Sequence, residues 1–331
     1  MSAEVFGESL IELAKPLTVT TDGGFMSDST LAFRHYKVQR LRRLFQNKSY
    51  RYTEQRFVIE GVNLLQAALD ANAEYESVFY DPDIKSHQQA LQLLLRLQNR
   101  GVRCYELHPG VMDRIADCVT PQPICAIVVL HEYGLRLLKS LIDVPGDDRL
   151  SLGNGESEVI YLPGQNIATG VDQDKSRLRF LVACDINDPG NLGTLYRVAD
   201  ASSMTAVIVT KSSADPFSPK TIRSSAGSAF HIPIISGVDI GEVIDSCKML
   251  GINLLATHVS QGIDYAAYQY SYPLAVIFGN ESRGLDDSVI KDCDVAINIE
   301  ISGRAESLNV AMAAAVICFE IRHSGSMTSK N

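Results

Sequence analysis

Three short segments of this 331-residue chain bring glycine, amide, carboxylate and guanidinium groups together at spacings that chemistry can use. The first, residues 185–193, contains Asp188-Pro189-Gly190-Asn191 and runs into a helical stretch bearing Arg197, six residues beyond Asn191. Proline and glycine make the turn, an asparagine is expected to cap the helix, and Arg197 falls on its second turn. The second, residues 277–285, sets Glu281 between Gly279 and Gly284. The glycines let backbone approach a ligand closely. The carboxylate accepts hydrogen bonds from a ribose, an amine or nearby backbone, or else simply caps a helix entry. The third, residues 299–309, ends in Ser307-Leu308-Asn309 at the head of an alanine-rich stretch. Ser307 is expected there as the N-cap, with Asn309 at the second helical position. Each segment alone is also ordinary turn and capping chemistry. None is a dinucleotide fingerprint or a phosphate loop, because the third glycine and the lysine those motifs require are missing.

The elements that must hold these segments are short apolar runs at 179–184, 205–210, 253–257, 274–278 and 295–299, which read as strands. Helical segments begin near Asn191, Pro219, Ile240 and Asp286, and a strong helix covers 307–323. Such alternation predicts an open, mostly parallel α/β sheet with helices on both faces. The candidate segments then lie just past the carboxyl ends of strands, where open α/β sheets bind ligands. Upstream, strands at 57–61, 77–80, 102–106 and 124–130 and helices at 62–73 and 86–101 predict a small layered α/β domain with parallel strands. The expected organisation is a mobile arm at 1–29, a first domain at 30–130, a linker or insertion at 131–177, a second domain at 178–325 and a tail at 326–331. The linker loses periodicity, gathers Gly, Asp and Ser, and has room for at most one helix and one short strand.

The net charge is −9, yet residues 34–56 carry Arg34, Lys37, Arg40, Arg42, Arg43, Lys48, Arg51 and Arg56 against the single acid Glu54, a local +7 that leaves −16 for the remainder. Such segregation suits one surface that meets phosphate, and suits a solvated basic helix face equally well. The seven cysteines are widely spaced without a CxxC pair, and the seven histidines form no ligand pattern, so neither disulfides nor a metal is expected. The N-terminus, with Glu4, Glu8 and Glu12, does not look like a targeting peptide, and no window approaches the roughly 20 apolar residues of a membrane span. A soluble, cytoplasmic protein is expected.

In their order and spacing, the three segments together resemble the motifs of the SpoU/TrmH branch of the SPOUT-type RNA methyltransferases, over about residues 178–323. Asn191 and Arg197 fall on the first motif, Gly279, Glu281 and Gly284 on the second, and Ser307-Leu308-Asn309 on the third; 225–230 resembles a further family segment. One departure is Ile299-Glu300-Ile301, where an isoleucine-proline-hydrophobic run is usual. The resemblance implies a C-terminal SPOUT α/β domain with a deep trefoil knot, a rare exception to unknotted chains. It implies S-adenosylmethionine as cofactor, held by backbone near Thr257, Gly279, Ile299 and Leu308, and a homodimer with active sites at or near the interface. The implied reaction is methylation of a ribose 2′-hydroxyl. Arg197 would anchor phosphate and stabilise developing alkoxide charge, because a guanidinium is almost never deprotonated. Asn191, Ser307 and Asn309 would orient the ribose and Arg197, and Glu281 would brace the cofactor loop. The upstream domain resembles the small RNA-binding domain of many of these enzymes, with Arg34, Lys37, Arg40, Arg42 and Arg43 expected to contact RNA. Ribosomal RNA of the large subunit is favoured over transfer RNA, and a non-catalytic RNA-binding or ribosome-assembly factor of the same fold is the alternative from another class.

Overall fold

The computed structural model describes residues 30–116, 118, 120–143 and 178–327. The expectations for the arm at 1–29, for 144–177 of the linker and for 328–331 of the tail lie outside the described residues. In chain order the first region contains α1 (Tyr36–Gln46), α2 (Lys48–Glu54), β1 (Arg56–Glu60), α3 (Val62–Asp70), β2 (Tyr75–Tyr80), α4 (Gln88–Asn99), β3 (Arg103–Glu106), α5 (Val111–Ile115) and β4 (Ile124–Val129). Its sheet order is β1-β4-β2-β3. The expectation of parallel strands is corrected by β4, which runs antiparallel to both β1 and β2, while β2 and β3 are parallel. A parallel return needs a crossover of a dozen or more residues that carries the chain back to the strand start. The connection from Glu106 to Ile124 is long enough for one, but its helix, α5, is five residues long, too short to run back along the sheet.

After α6 (Arg136–Asp143), the second region contains β5 (Arg179–Ala183), α7 (Pro189–Ala201), β6 (Ala206–Thr210), α8 (Pro219–Ser224), β7 (Ile234–Val238), α9 (Ile240–Leu250), β8 (Asn253–Thr257), β9 (Ile263–Asp264), β10 (Leu274–Phe278), α10 (Asp287–Asp292), β11 (Val295–Asn298) and α11 (Val310–Met327). The seven strands lie in the order β7-β6-β5-β10-β8-β11-β9, and every pairing is parallel. β6 and β10 are buried at every position, as strands covered on both faces must be. Alternate residues go to opposite sides: Leu181 and Ala183 of β5 join the apolar cluster beneath α7 and α11, while Phe180 and Val182 join the cluster beneath α6 and α9. Two strands, β7 and β9, were absent from the sequence expectation. β7 contains Ser236 and Gly237, the latter at φ +73°, beside a register shift against β6, and β9 is two residues long.

Where α7 crosses α8, only glycine fits. A Cβ on Gly193 would sit 2.2 Å from the Thr221 carbonyl oxygen, well inside contact distance. The two regions meet around α8 and the segments that flank it. Phe57 of β1 packs against Phe217 and Phe230 with ring centroids 5.3 and 6.1 Å apart. Arg51, 4% exposed, donates to Asp215 and to the carbonyls of Leu44 and Phe45. Asp215 also accepts from the Tyr52 hydroxyl at 3.1 Å and the Phe217 backbone N–H at 3.1 Å. Among the described residues no helix is long and apolar enough to cross a membrane.

Candidate active site

Beyond the carboxyl ends of β8, β10 and β11 lies a cavity of about 340 Å³. Thr257, Gly279, Ile299 and Leu308 all line it, as do Glu281 and Ser307. Phe278, Ile297, Val310, Ala313 and Ile317 supply its apolar floor, the last three from consecutive turns of α11. The loop after β10 is pinched tight: the Asn280 and Gly284 backbones exchange hydrogen bonds of 3.0 and 2.9 Å. A Cβ on Gly279 would lie 2.4 Å from the Gly284 carbonyl carbon, so that position has no room for any side chain. The Thr257 hydroxyl donates to the Ile277 carbonyl at 2.9 Å and joins the two neighbouring strand ends.

Glu281 ties the second segment to the first. Its carboxylate accepts the Asn191 side-chain amide at 3.0 Å and the backbone N–H groups of Asp188 and Asn187 at 3.2 and 3.3 Å. Partial burial pushes this carboxyl up, but the donors from Asn191, its own backbone, Asp188 and Asn187 outweigh it and hold the group below the usual carboxylate range. Asn191 in turn accepts from the Asn309 amide at 3.0 Å. A continuous line of hydrogen bonds, Asn309 to Asn191 to Glu281, therefore joins all three segments.

Two capping expectations are corrected. Asp188, not Asn191, caps α7: its carboxylate accepts the Asn191 N–H at 2.9 Å, which leaves the Asn191 side chain free to bridge. Asn309, not Ser307, caps α11, accepting the Ala311 N–H on its side chain at 2.9 Å and the Ala313 N–H on its carbonyl at 3.0 Å. Ser307 is thereby released to the cavity wall. Arg197 is exposed on α7 and outside the cavity lining; among the described residues it makes no hydrogen bond or ion pair. The structure therefore brings Asn191, Glu281 and Asn309 together and leaves Arg197 apart from them.

Several residues at this end of the sheet carried no sequence signal. Asn280 donates to the Asp185 carbonyl at 2.9 Å, Arg283 pairs with the Asp185 carboxylate at 2.9 Å, and Lys220 pairs with Asp188 at 2.9 Å. His258 and Glu306 also line the cavity. The seven cysteines are free thiols, and burial pushes those of Cys104, Cys184, Cys247 and Cys293 up to about 12, so they stay protonated at neutral pH. Among the described residues no cluster of His, Cys, Asp or Glu has the arrangement of a metal site.

Residues 179–319, which hold the whole of this arrangement, match the SpoU rRNA methylase family. This stretch is a SpoU methylase domain. Residues 36–126 match the MRM3-like substrate-binding domain, so the methylase domain is preceded by a second recognised module. Among its relatives is the 23S rRNA (guanosine(2553)-2′-O)-methyltransferase RlmP of Bacillus subtilis, 28% identical over 266 residues that span 80% of this chain and 88% of that one. Another is the 23S rRNA (uridine(2479)-2′-O)-methyltransferase of Streptomyces viridochromogenes, 25% identical over 87% of this chain and 89% of that one. The chain is also similar to the AdoMet-bound rRNA methyltransferase of Sinorhizobium meliloti, with a TM-score of 0.67 and 26% identity over 89% of this chain and 97% of the other.

Proposed function

We propose that this protein transfers the methyl group of S-adenosylmethionine to a ribose 2′-hydroxyl of large-subunit ribosomal RNA. The observation that carries the reading is the line from Asn309 through Asn191 to Glu281, which gathers three polar segments beside one cavity. The cavity suits the cofactor chemically: backbone near Thr257, Gly279, Ile299 and Leu308 offers hydrogen bonds, and Phe278 and Ile317 offer apolar walls. When bound, the cofactor supplies an electrophilic methyl on sulfonium. The protein's own part is placement and charge. Asn191 and Asn309 orient the ribose, Glu281 locks the loop that holds the cofactor, and Arg197 anchors the phosphate and stabilises alkoxide charge as the hydroxyl proton is lost. The names of the 23S rRNA 2′-O-methyltransferases similar to this chain support the choice of RNA.

The same proposal divides the chain into an RNA-binding unit at 30–130 and a methyl-transfer unit at 178–325, joined by 131–177, and places it in the cytoplasm with its substrate. It includes the trefoil knot. Support comes from β10 lying between β5 and β8, and from Asn309 reaching Asn191 across 118 residues of chain. It includes the homodimer as well. Met312, Val316 and Phe319, 63, 37 and 45% exposed, recur at helical spacing and, with Leu308 (39% exposed) just before the helix, form an apolar stripe along α11, the helix that packs on α7. A second copy on this stripe would enclose the surface that carries Arg197. Met312→Lys should therefore weaken self-association at least about tenfold, since an unpaired ammonium would have to be desolvated. Light scattering against concentration reads this, and an unchanged dimer would reject the stripe as the interface.

To test the reaction, the protein is incubated with radiolabelled S-adenosylmethionine and protein-free ribosomal RNA from cells lacking the gene, and the RNA is digested to nucleosides. Label in 2′-O-methyl nucleosides is expected. Label in methylated bases alone, or none, rejects the proposal.

A further inference from the structure

The cations of residues 34–56 divide into two groups. Arg40 is held by Glu54 and Glu76, Arg56 by Glu76, and Arg51 by Asp215, so three of the eight serve internal ion pairs. Arg34, Lys37, Arg42, Arg43 and Lys48 form no ion pair among the described residues. Four of these five instead lie over aromatic rings: Lys37 is 3.6 Å from the Tyr105 centroid, Arg42 is 5.7 Å from Phe33, Arg43 is 5.9 Å from Tyr50 and Lys48 is 5.9 Å from Tyr52. Arg114 of α5 also lies 3.6 Å from Phe33. These cations are interleaved with rings and are not themselves paired with carboxylates among the described residues. Lone surface cations over rings are common as small stabilisers. Tyr36 has Lys37 6.0 Å from its ring centroid as well, but it is 70% exposed at the first turn of α1, with His35 tilted beside it at 4.7 Å and most of its ring in water. Tyr36, Arg40 and Arg43 recur at i, i+4 and i+7, so the open ring and the Arg43 guanidinium share the outward side of one helix.

An open aromatic ring flanked by uncompensated cations is the arrangement that stacks a nucleobase while binding the phosphates on either side. A paired base keeps its faces inside the duplex and cannot reach such a ring, so the partner is unpaired. We propose that Tyr36 is a stacking platform for an unpaired RNA base, with Arg34 and Arg43 holding the adjacent phosphates. This rests on the RNA-methyltransferase reading and adds to it the kind of RNA structure the upstream module grips.

The chain contains no tryptophan, so Tyr36→Trp introduces a single reporter at the proposed contact. Titration with a 12-nucleotide oligouridylate should quench its fluorescence to saturation, and a blunt 12-base-pair RNA duplex should not. Tyr36→Ala should weaken oligouridylate binding roughly 5- to 100-fold, the range one stacked base spans. Tyr36→Phe should bind like the parent. Thermal melts should show the same transition for all three variants, because an exposed ring contributes little to the fold. Equal quenching by the duplex, or binding by Tyr36→Ala within twofold of the parent, overturns the platform. The underlying reading fails separately, through absence of 2′-O-methyl product when the parent protein meets protein-free ribosomal RNA.

Discussion

Replacing Arg197 by alanine is expected to lower methyl transfer by about 10²- to 10³-fold, the usual effect of losing one charge-stabilising donor. Affinity for S-adenosylmethionine should stay within about threefold, because Arg197 is outside the cavity lining that Thr257, Gly279, Ile299 and Leu308 form. The split between the two readouts is the informative part. Loss of cofactor binding along with turnover would mean that the substitution disturbs α7, whereas full activity would remove Arg197 from the mechanism. Arg197→Lys should recover little, since a point charge does not reproduce a planar fork of donors. Isothermal titration with the cofactor and single-turnover methylation of ribosomal RNA measure the two quantities independently.

The second large effect concerns the join between the two regions. Asp215→Ala should reduce unfolding stability by about 3–5 kcal/mol, because it leaves the guanidinium of Arg51 buried without its anion. Arg51 and Asp215 side chains are 4 and 10% exposed, so solvent cannot substitute for the lost partner. The Tyr52 hydroxyl and the Phe217 N–H lose their acceptor in the same step. Burial, and then the charge of Asp215, push the Tyr52 phenol far above its ordinary range, so it remains a donor at any working pH. Equilibrium denaturation in urea checks the value. Replacing both partners by apolar residues, Arg51→Met with Asp215→Leu, should recover much of the loss, and failure to do so would mean that packing rather than charge dominates the join. By contrast, Arg40 with Glu76 is about a third exposed, and breaking that pair should cost under about 1 kcal/mol.

Much of the second region was legible because its strands are apolar runs of five bounded by turn residues. The bounds of β8 and β10 coincide with those expected from the sequence. β7 was hidden by Pro233, Ser236 and Gly237, which break the apolar run that marks a strand. The direction of β4 was hidden for another reason: periodicity reports that a strand exists, and direction depends on the path its connection takes. The candidate site shows the same division. Residue types and spacing pointed to Asn191, Glu281 and Asn309, yet their joining depends on hydrogen bonds across 90 and 118 residues, which no local pattern encodes. Capping was misassigned at both helices because Asp188 and Asn191, and likewise Ser307 and Asn309, are all competent caps within three positions of each other. Arg51 was counted with the surface cations, since nothing in its neighbourhood announces a carboxylate 164 residues away.

The place of β10 in the sheet bears on how the protein is made. It pairs with both β5 and β8, so the middle of the seven-stranded sheet is translated after five of its other strands. Some 95 residues separate the end of β5 from the end of β10. At roughly 5–20 residues per second, the ribosome spends about 5–20 s on that stretch. Throughout it β5, and once residue 257 has been added β8 too, lacks its central neighbour and has an apolar edge open to wrong pairing. Slower growth or added chaperone should therefore raise the soluble yield more than a stronger promoter. A chain ending at residue 273 would lose β10 and β11 together, leaving β5 open on one edge and β8 without a neighbour on either side, where loss of an edge strand would open only one.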